Sequence, residues 1–149
     1  MITYERLKKR FEKKNPQEPK CEIHTMMDNK PKTIFCDIDG TLCEYPYTED
    51  MGGYDFNNKA MKPLPGTLKK LWDWDKAGHI IILTTGRKEG MRESTERQLR
   101  EAGIVYDRLL MGIGGGARVL INDLKPDRKG NTAIAINLNR NKGVQDVKI

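Results

Sequence analysis

Three apolar runs in this sequence end in polar side chains, and this arrangement constrains the fold more than any other feature. Residues 33–38 lead into Asp-Gly, residues 79–85 end in two threonines, and residues 118–123 end in Asn-Asp. Short runs that are rich in β-branched residues and do not alternate with polar ones are typical of strands covered on both faces. Residues 132–138 form a fourth such run. We therefore predict four buried strands.

Two segments with helical patterns lie between these strands. The first covers about residues 65–77 and has an apolar stripe, Leu68, Leu71 and Trp72, that we expect to be core. The second, over about residues 89–102, is polar and closes at a glycine. Strands that alternate with helices predict an α/β fold, in which right-handed crossovers build a Rossmann-like parallel sheet flanked by helices.

The polar residues at the strand ends are expected to meet in space. Ligands of an open parallel sheet bind beside the carboxyl ends of its strands. Here those ends carry Asp37 and Asp39, Thr85, and Asp123. Carboxylate and hydroxyl oxygens suit a hard cation, and magnesium typically uses a few carboxylates while it keeps water and substrate phosphate. Mg²⁺ is therefore the expected cofactor.

The segment Asp37-Ile-Asp-Gly-Thr41 resembles the first motif of the haloacid dehalogenase (HAD) superfamily. Thr85 ends an apolar strand as the second motif of that family does, and residues 122–127, Asn-Asp-Leu-Lys-Pro-Asp, resemble its DxxxD fourth motif. The resemblance covers residues 33–138 and implies a HAD-like phosphatase domain over residues 33–149. The stretch between Thr41 and the first helix is too short for a cap domain, so a short flap is expected in its place.

The resemblance also implies a role for individual residues. Asp37 would attack phosphate and form an aspartyl-phosphate, and Asp39 would act first as general acid and then as general base. The phosphoryl oxygens would be bound by Thr85 and by groups of Gly40, Thr41, Gly86 and Arg87. The metal would be held by Asp37, the main-chain carbonyl of Asp39, and Asp123, with Asp127 in support or acting through water.

The third motif departs from the family pattern. The family has a Lys or Arg just before the last catalytic strand, but residues 112–117, Gly-Ile-Gly-Gly-Gly-Ala, contain none. Lys125, slightly favoured for its reach, or Arg118 must then supply this catalytic charge. Two further alternatives stay open: Arg87 could bind substrate phosphate or be solvated, and residues 137–141 could line the site or form a solvated loop.

Asp39 favours phosphate-ester hydrolysis, since family members that cleave P-type ATPase phosphoenzymes usually have Thr there. We expect a magnesium-dependent phosphomonoester hydrolase whose substrate is a small phosphorylated metabolite such as a sugar phosphate. One alternative is a polynucleotide 3′-phosphatase, because Thr85-Gly-Arg87 resembles the Ser-Gly-Arg of polynucleotide kinase phosphatase domains. An alternative of another class is a phosphoryl-accepting regulatory domain, but such domains lack the DxDGT spacing.

Positive charge is concentrated in residues 1–32, which form a predicted basic N-terminal extension. They hold nine Lys or Arg and five acidic residues, a net charge of +4 out of +6 for the chain. Such an arm could bind nucleic acid through phosphates. We favour a solvated tail, because Tyr4 and Phe11 are its only stacking candidates.

Cysteine usage and hydropathy predict a cytoplasmic protein without a membrane partner. No apolar run approaches the roughly 20 residues that cross a bilayer, and the Lys-rich start lacks the apolar segment of a signal peptide. Cys21, Cys36 and Cys43 have neither CxxC nor zinc-site spacing and are expected to be free thiols. Cys43 is expected to be a bystander near Asp37. The oligomeric state is not indicated by the sequence.

Overall fold

A computed structural model describes residues 30–45, 47–48, 53–54, 60–126 and 130–149. Five strands are present in this part of the chain: β1 (Thr33–Asp37), β2 (Tyr47–Thr48), β3 (Gly53–Tyr54), β4 (Ile80–Thr84) and β5 (Arg108–Leu110). The helices are α1 (Thr67–Lys76), a 3₁₀ helix (Glu89–Met91) and α2 (Arg92–Glu101). No helix in the described ranges is both long and apolar enough to cross a membrane.

The central sheet is parallel, with strands in the order β1-β4-β5. Asp37 lies beside Thr84, and Thr84 lies beside Leu110, so the three carboxyl ends are level with one another. β2 and β3 pair antiparallel and form the small flap expected after Thr41. The predicted α/β class, with a parallel sheet and flanking helices, is confirmed.

The core lies against β1 and β4 and is closed by one side of each helix. Helix α1 contributes Leu71 and Trp74, β4 contributes Ile81 and Leu83, and α2 contributes Leu99. All five side chains are buried. They remove apolar surface from water, which is the main favourable contribution to folding.

The apolar stripe predicted for α1 is wrong in two of its three positions. Leu68 and Trp72 are 37% and 49% exposed, whereas Thr67, Leu71 and Trp74 are buried. The buried positions follow the i, i+4, i+7 spacing of a helix face, so the helix turns Trp72 outward. The Thr67 hydroxyl is satisfied in the core because it donates to the carbonyl of Leu42 at 3.0 Å.

The strands predicted over residues 118–123 and 132–138 are not formed. Val119 and Ile121 are 80% and 88% exposed, and neither run belongs to a sheet. The two runs meet instead through side chains: Asn122 Nδ2 donates to the carbonyl of Thr132, and Thr132 Oγ1 donates to the carbonyl of Asp123. Such side-chain bonds to the backbone compete with a regular ladder, and apolar content alone does not supply a pairing edge.

The C-terminal segment packs on the domain. Val144 is 2% exposed, and Lys70 Nζ on α1 donates to the carbonyl of Val147 at 2.8 Å. Gly143 has φ 80° and lies so close to Leu64 that an added Cβ would be 3.2 Å from the Leu64 Cβ. This packing brings residues 139–142 to the loop that follows β1.

Candidate active site

The two aspartates of the site lie at the end of β1 and in the loop that follows it. The carbonyl of Ile38 accepts hydrogen bonds from the N–H groups of Thr41, Leu42 and Cys43, and Gly40 has φ 88°. A left-handed residue at this point favours glycine and lets the chain turn sharply. The turn leaves Asp37 and Asp39 at the carboxyl edge of the sheet.

Asp37 is half-buried and only weakly compensated. Thr41 Oγ1 donates to Asp37 Oδ2 at 3.5 Å, and Arg118 Nη2 lies 3.8 Å from Asp37 Oδ1. Burial and the negative charge of Asp39 raise the pKa of Asp37, while Arg118 and the Thr41 hydrogen bond lower it by less. A cation or additional donors would therefore stabilise the ionised carboxylate.

Asp39, in contrast, is held by a buried bidentate ion pair. Arg87 Nη2 lies 2.7 Å from Asp39 Oδ1, and Arg87 Nε donates to Asp39 Oδ2 at 3.0 Å. Thr85 Oγ1 also donates to Asp39 Oδ2, at 3.4 Å. Because two parallel N–H···O bonds define the plane of a carboxylate, Asp39 has a fixed orientation.

Helix α2 holds Arg87 from its other side. Arg87 Nη1 donates to Gln98 Oε1 at 2.7 Å and to Thr95 Oγ1 at 3.4 Å, and all three residues are buried. The solvated alternative for Arg87 is therefore wrong. Gln98 and Thr95 were not predicted from the sequence. Their spacing in the sequence could have identified them, because Thr95 and Gln98 share the core-facing side of α2 with Leu99.

Thr85 and Gly86 lie where the carboxyl end of β4 meets the chain after β5. Thr85 is 1% exposed, its N–H donates to the carbonyl of Leu110, and its carbonyl accepts from the N–H of Ile113. An added Cβ at Gly86 would lie 3.4 Å from the Ile113 carbonyl. The segment is thus fixed beside Asp39.

Asp123 and Lys125 are not brought to Asp37 and Asp39. They pair with each other at 3.0 Å, with side chains 68% and 50% exposed. Because residues 118–123 do not join the sheet, Asp123 does not reach its carboxyl edge. Of the two basic candidates for the third motif, Arg118 lies near Asp37 and Lys125 does not. Asp127 lies outside the described residues.

The predicted magnesium ligands are consequently incomplete. Within the described ranges, no three His, Cys, Asp or Glu side chains gather as a metal site. The Asp39 carboxylate is already bound by Arg87, which leaves Asp37 as the one carboxylate of the pair whose charge needs a partner. The residues therefore fit an octahedral magnesium ion only in part.

Residues 140 and 141 of the C-terminal segment lie against the loop that follows β1, which we call the aspartate loop. The Asn141 N–H donates to the carbonyl of Gly40 at 2.7 Å, and Asn141 Oδ1 accepts from the N–H of Tyr45 at 2.9 Å. The Arg140 guanidinium carbon lies 4.1 Å from the centroid of the Tyr45 ring. Residues 137–141 were one candidate to line the site because they would end a predicted strand. That strand is not formed, and a turn brings Asn141 to the site instead.

Two of the cysteines are buried free thiols, as expected. Burial raises the pKa of Cys36 and that of Cys43 to about 12, with the charges of Asp37 and Asp39 adding to the effect. Both stay protonated at neutral pH, and a thiol is a much weaker nucleophile than a thiolate. This supports the bystander assignment of Cys43. Cys21 lies outside the described residues.

The fold and site together define an α/β protein with paired aspartates at the carboxyl edge of a parallel sheet. The chain belongs to the HAD superfamily, subfamily IIIB (Acid phosphatase), whose sequence profile matches residues 4–118. The predicted family is confirmed, and membership of an acid phosphatase subfamily supports the assignment as a phosphatase. The match includes both aspartates, Thr85 and Arg118, and it ends before Asp123.

The solved structures that are similar to this chain include the following three. Two are described as the Pnkp1/Rnl/Hen1 complex and the Pnkp1/Rnl/Hen1 RNA repair complex, each 30% identical, with TM-scores of 0.44 and 0.45. They cover 78% and 76% of this chain, which spans only 37% and 38% of theirs. The third is a crystal structure of an MCSG target from Vibrio cholerae, which is 20% identical with a TM-score of 0.44. The match covers 65% of this chain and 85% of that structure's chain. No curated protein matches the chain.

Proposed function

We propose that this phosphatase is a magnesium-dependent phosphomonoester hydrolase that forms an aspartyl-phosphate on Asp37 and acts on a small phosphorylated metabolite, such as a sugar phosphate. The observation that carries the proposal is the contrast between the two aspartates. Asp37 is half-exposed and weakly compensated, while the Asp39 side chain is only 11% exposed and is held by Arg87. A nucleophile must reach its substrate, whereas a proton-transfer group must be oriented.

Asp37 Oδ attacks the phosphorus, a P–O bond to Asp37 forms, and the ester P–O bond breaks. Arg118, near Asp37 Oδ1, is positioned to bind phosphoryl oxygens as negative charge shifts to the leaving oxygen. Its guanidinium can take the place of the missing third-motif residue. A carboxylate whose pKa is raised by burial is also a more basic nucleophile.

Asp39 transfers the protons. It takes a proton from the phosphate monoanion of the bound substrate, donates that proton to the leaving oxygen, and then accepts one from the water that hydrolyses the aspartyl-phosphate. A carboxylate has about four lone-pair sites, so the hydrogen bonds from Arg87 and Thr85 leave acceptor capacity on Asp39. Arg87 acts in this proposal as a positioning residue for Asp39, not as a substrate ligand.

Magnesium belongs to the proposal because the charge of Asp37 needs compensation beyond Arg118. The Asp37 carboxylate and the Asp39 main-chain carbonyl would hold it, and the ion would supply positive charge to the phosphate. Asp123 would have to approach these two groups to become a ligand, since it now pairs with Lys125. A cytoplasmic location stays a prediction.

The alternative substrate is a polynucleotide 3′-phosphate, supported by the Thr85-Gly-Arg87 resemblance and by the charge of the N-terminal extension. The burial of Arg87 weakens the first of these supports, because its donors are used within the protein. A regulatory phosphoryl acceptor is disfavoured by membership of a phosphatase family.

The first experiment compares Asp37→Asn with Asp73→Asn, an exposed aspartate on α1 that pairs with Lys69. Phosphate release from p-nitrophenyl phosphate is measured with magnesium and with a chelator. We expect Asp37→Asn to lose at least about a thousandfold in kcat, since covalent catalysis is removed, and Asp73→Asn to match the wild type. Activity of Asp37→Asn within tenfold of the wild type would refute the covalent mechanism.

The same enzyme preparation, screened against phosphorylated metabolites, identifies the preferred substrate. Equal activity with and without the chelator would refute the magnesium dependence but leave the covalent mechanism standing.

A further inference from the structure

The turn formed by residues 139–142 is anchored to the aspartate loop at two points. The N–H of Lys142 donates to the carbonyl of Asn139, which closes the turn, and Asn141 has φ 61°. Asn141 binds both the carbonyl of Gly40 and the N–H of Tyr45, which lie on the two arms of the loop after β1. The turn therefore has a defined position beside Asp39.

Arg140 is fixed by this anchoring. Its stem lies against Gly40, since an added Cβ at Gly40 would be 3.1 Å from the Arg140 Cγ. Its guanidinium carbon lies 4.1 Å from the centroid of the Tyr45 ring, the geometry of a cation–π contact. A guanidinium stacked on a ring keeps its edge donors available and has less conformational entropy to lose on binding.

The charge of Arg140 is not used by a carboxylate in the described part of the chain. Arg87 pairs with Asp39 and Arg118 approaches Asp37, whereas no ion pair joins Arg140 to either aspartate. Arg140 is exposed on the turn. It is therefore a cation held against the loop after β1, without an ion pair to the carboxylates of Asp37 and Asp39.

We propose that Arg140, stacked on Tyr45, forms a second anion subsite that binds a phosphate carried by the leaving group of the substrate. The proposal rests on the phosphomonoester hydrolase activity proposed above and narrows its substrate class. The planar guanidinium suits bidentate binding of a phosphate. The second phosphate belongs either to a small bisphosphorylated molecule or to the phosphodiester next to a terminal phosphate.

The test uses the full chain with three substrates: p-nitrophenyl phosphate, adenosine 3′,5′-bisphosphate and a short 3′-phosphorylated oligonucleotide. Arg140→Gln removes the charge and keeps a shorter, uncharged polar side chain. Arg97→Gln, on the exposed side of α2, makes the same charge change away from the site. Steady-state kcat and KM are measured for the wild type and each variant with each substrate.

We expect Arg140→Gln to raise KM for the phosphate-bearing leaving groups about tenfold or more, as loss of a charge-assisted hydrogen bond does, with KM for p-nitrophenyl phosphate unchanged. If KM rises for both adenosine 3′,5′-bisphosphate and the oligonucleotide, the subsite binds any phosphate next to the one that is removed. If KM rises for the oligonucleotide alone, the subsite binds a phosphodiester. An equal loss of kcat/KM on all three substrates would mean that Arg140 only holds the loop, and the proposal would be wrong.

A binding measurement separates this proposal from the hydrolase proposal. Adenosine 3′,5′-bisphosphate is titrated into Asp37→Asn protein with and without Arg140→Gln. A Kd raised about tenfold by the second change supports the subsite even where no turnover is observed. An unchanged Kd both for this ligand and for the 3′-phosphorylated oligonucleotide, titrated in the same way, overturns it, whatever the activity of the wild type.

Discussion

Asp37 and Asp39 are two residues apart in sequence but have different electrostatic environments. Asp39 receives two N–H groups of one buried guanidinium, whereas Asp37 has a hydroxyl at 3.5 Å and a guanidinium at 3.8 Å. Burial and the charge of Asp39 accordingly raise the pKa of Asp37. The asymmetry permits one carboxylate to attack while the other remains oriented.

The raised pKa of Asp37 predicts a cost to stability when the carboxylate ionises. A raised folded-state pKa means that the folded protein holds the proton to higher pH than the unfolded chain does. The stability that the protonated Asp37 carboxyl contributes is therefore fully present below the ordinary Asp pKa of about 3.9. It is lost as the pH rises through the pKa of Asp37 in the folded protein. Asp37→Asn, which cannot ionise, avoids that loss.

We expect Asp37→Asn to match the wild type in thermal stability near pH 3 and to exceed it at pH 7 by roughly a few degrees in Tm. Thermal unfolding is followed by circular dichroism in a chelating buffer, so that no divalent cation masks the effect. The control is Asp73→Asn, whose exposed carboxylate has a lowered pKa because Lys69 donates to it. A wild type as stable as Asp37→Asn at pH 7 would contradict the prediction.

At the scale of elements, α2 links the core to the site. Its buried face contains Thr95, Gln98 and Leu99, so two of the three inward side chains are polar. A polar group in a core is stable only when it is hydrogen-bonded, and Arg87 supplies the donors here. The helix thus positions Arg87, and Arg87 positions Asp39.

Replacing Gln98 by Leu tests this chain of contacts. The change conserves shape but leaves Arg87 Nη1 without its closest acceptor, which we expect to lower the free energy of unfolding by about 1–3 kcal/mol. We also expect kcat to fall while KM changes little, because Asp39 is less well oriented in the transition state.

Urea unfolding and steady-state kinetics measure the two effects. The matched control is Gln98→Glu, which restores an acceptor for Arg87 and should recover most of kcat. Equal kcat for Gln98→Leu and the wild type would show that α2 does not support Asp39.

At the scale of the whole molecule, Lys32, which precedes β1, is hydrogen-bonded to residues at the start of β4. The N–H of Lys32 donates to His79 Nδ1 at 3.0 Å, and the carbonyl of Lys32 accepts from the N–H of Ile80. Burial and the neighbouring Lys32 lower the pKa of His79, which fits a structural role for its neutral ring. A truncation that tests the basic extension must therefore retain residues 30–32.

Deleting residues 1–29 separates the two substrate classes. For a small phosphate ester we expect kcat/KM and its salt dependence to be nearly unchanged, because site residues bind the substrate. For a polynucleotide, the slope of log affinity against log salt should fall by roughly 0.7–0.9 for each phosphate that the extension binds. A truncated protein that cleaves a small ester but binds a 3′-phosphorylated oligonucleotide far more weakly than the full chain would favour the polynucleotide as substrate.

Local patterns in the sequence were sufficient for the positions of β1 and β4 and for the motif after β1, but not for the burial of both strand faces, because Phe35 and Ile80 are 54% and 47% exposed. An apolar run followed by Asp-Ile-Asp-Gly-Thr predicts a buried strand and a sharp turn, because backbone conformation there depends on neighbouring residues. β4 and α2 were predicted for the same reason. The runs over residues 118–123 and 132–138 were mispredicted, since a strand also requires a partner edge.

The sequence by itself therefore determined the α/β class, the family and the pair Asp37 and Asp39. Only the tertiary structure decided which side chains surround that pair: Arg87 turned inward against Gln98, Asp123 remained outside, and Asn141 reached the N–H of Tyr45 from 96 residues away. The physical reason is that contacts between distant segments depend on how whole elements pack, and no local period records that packing.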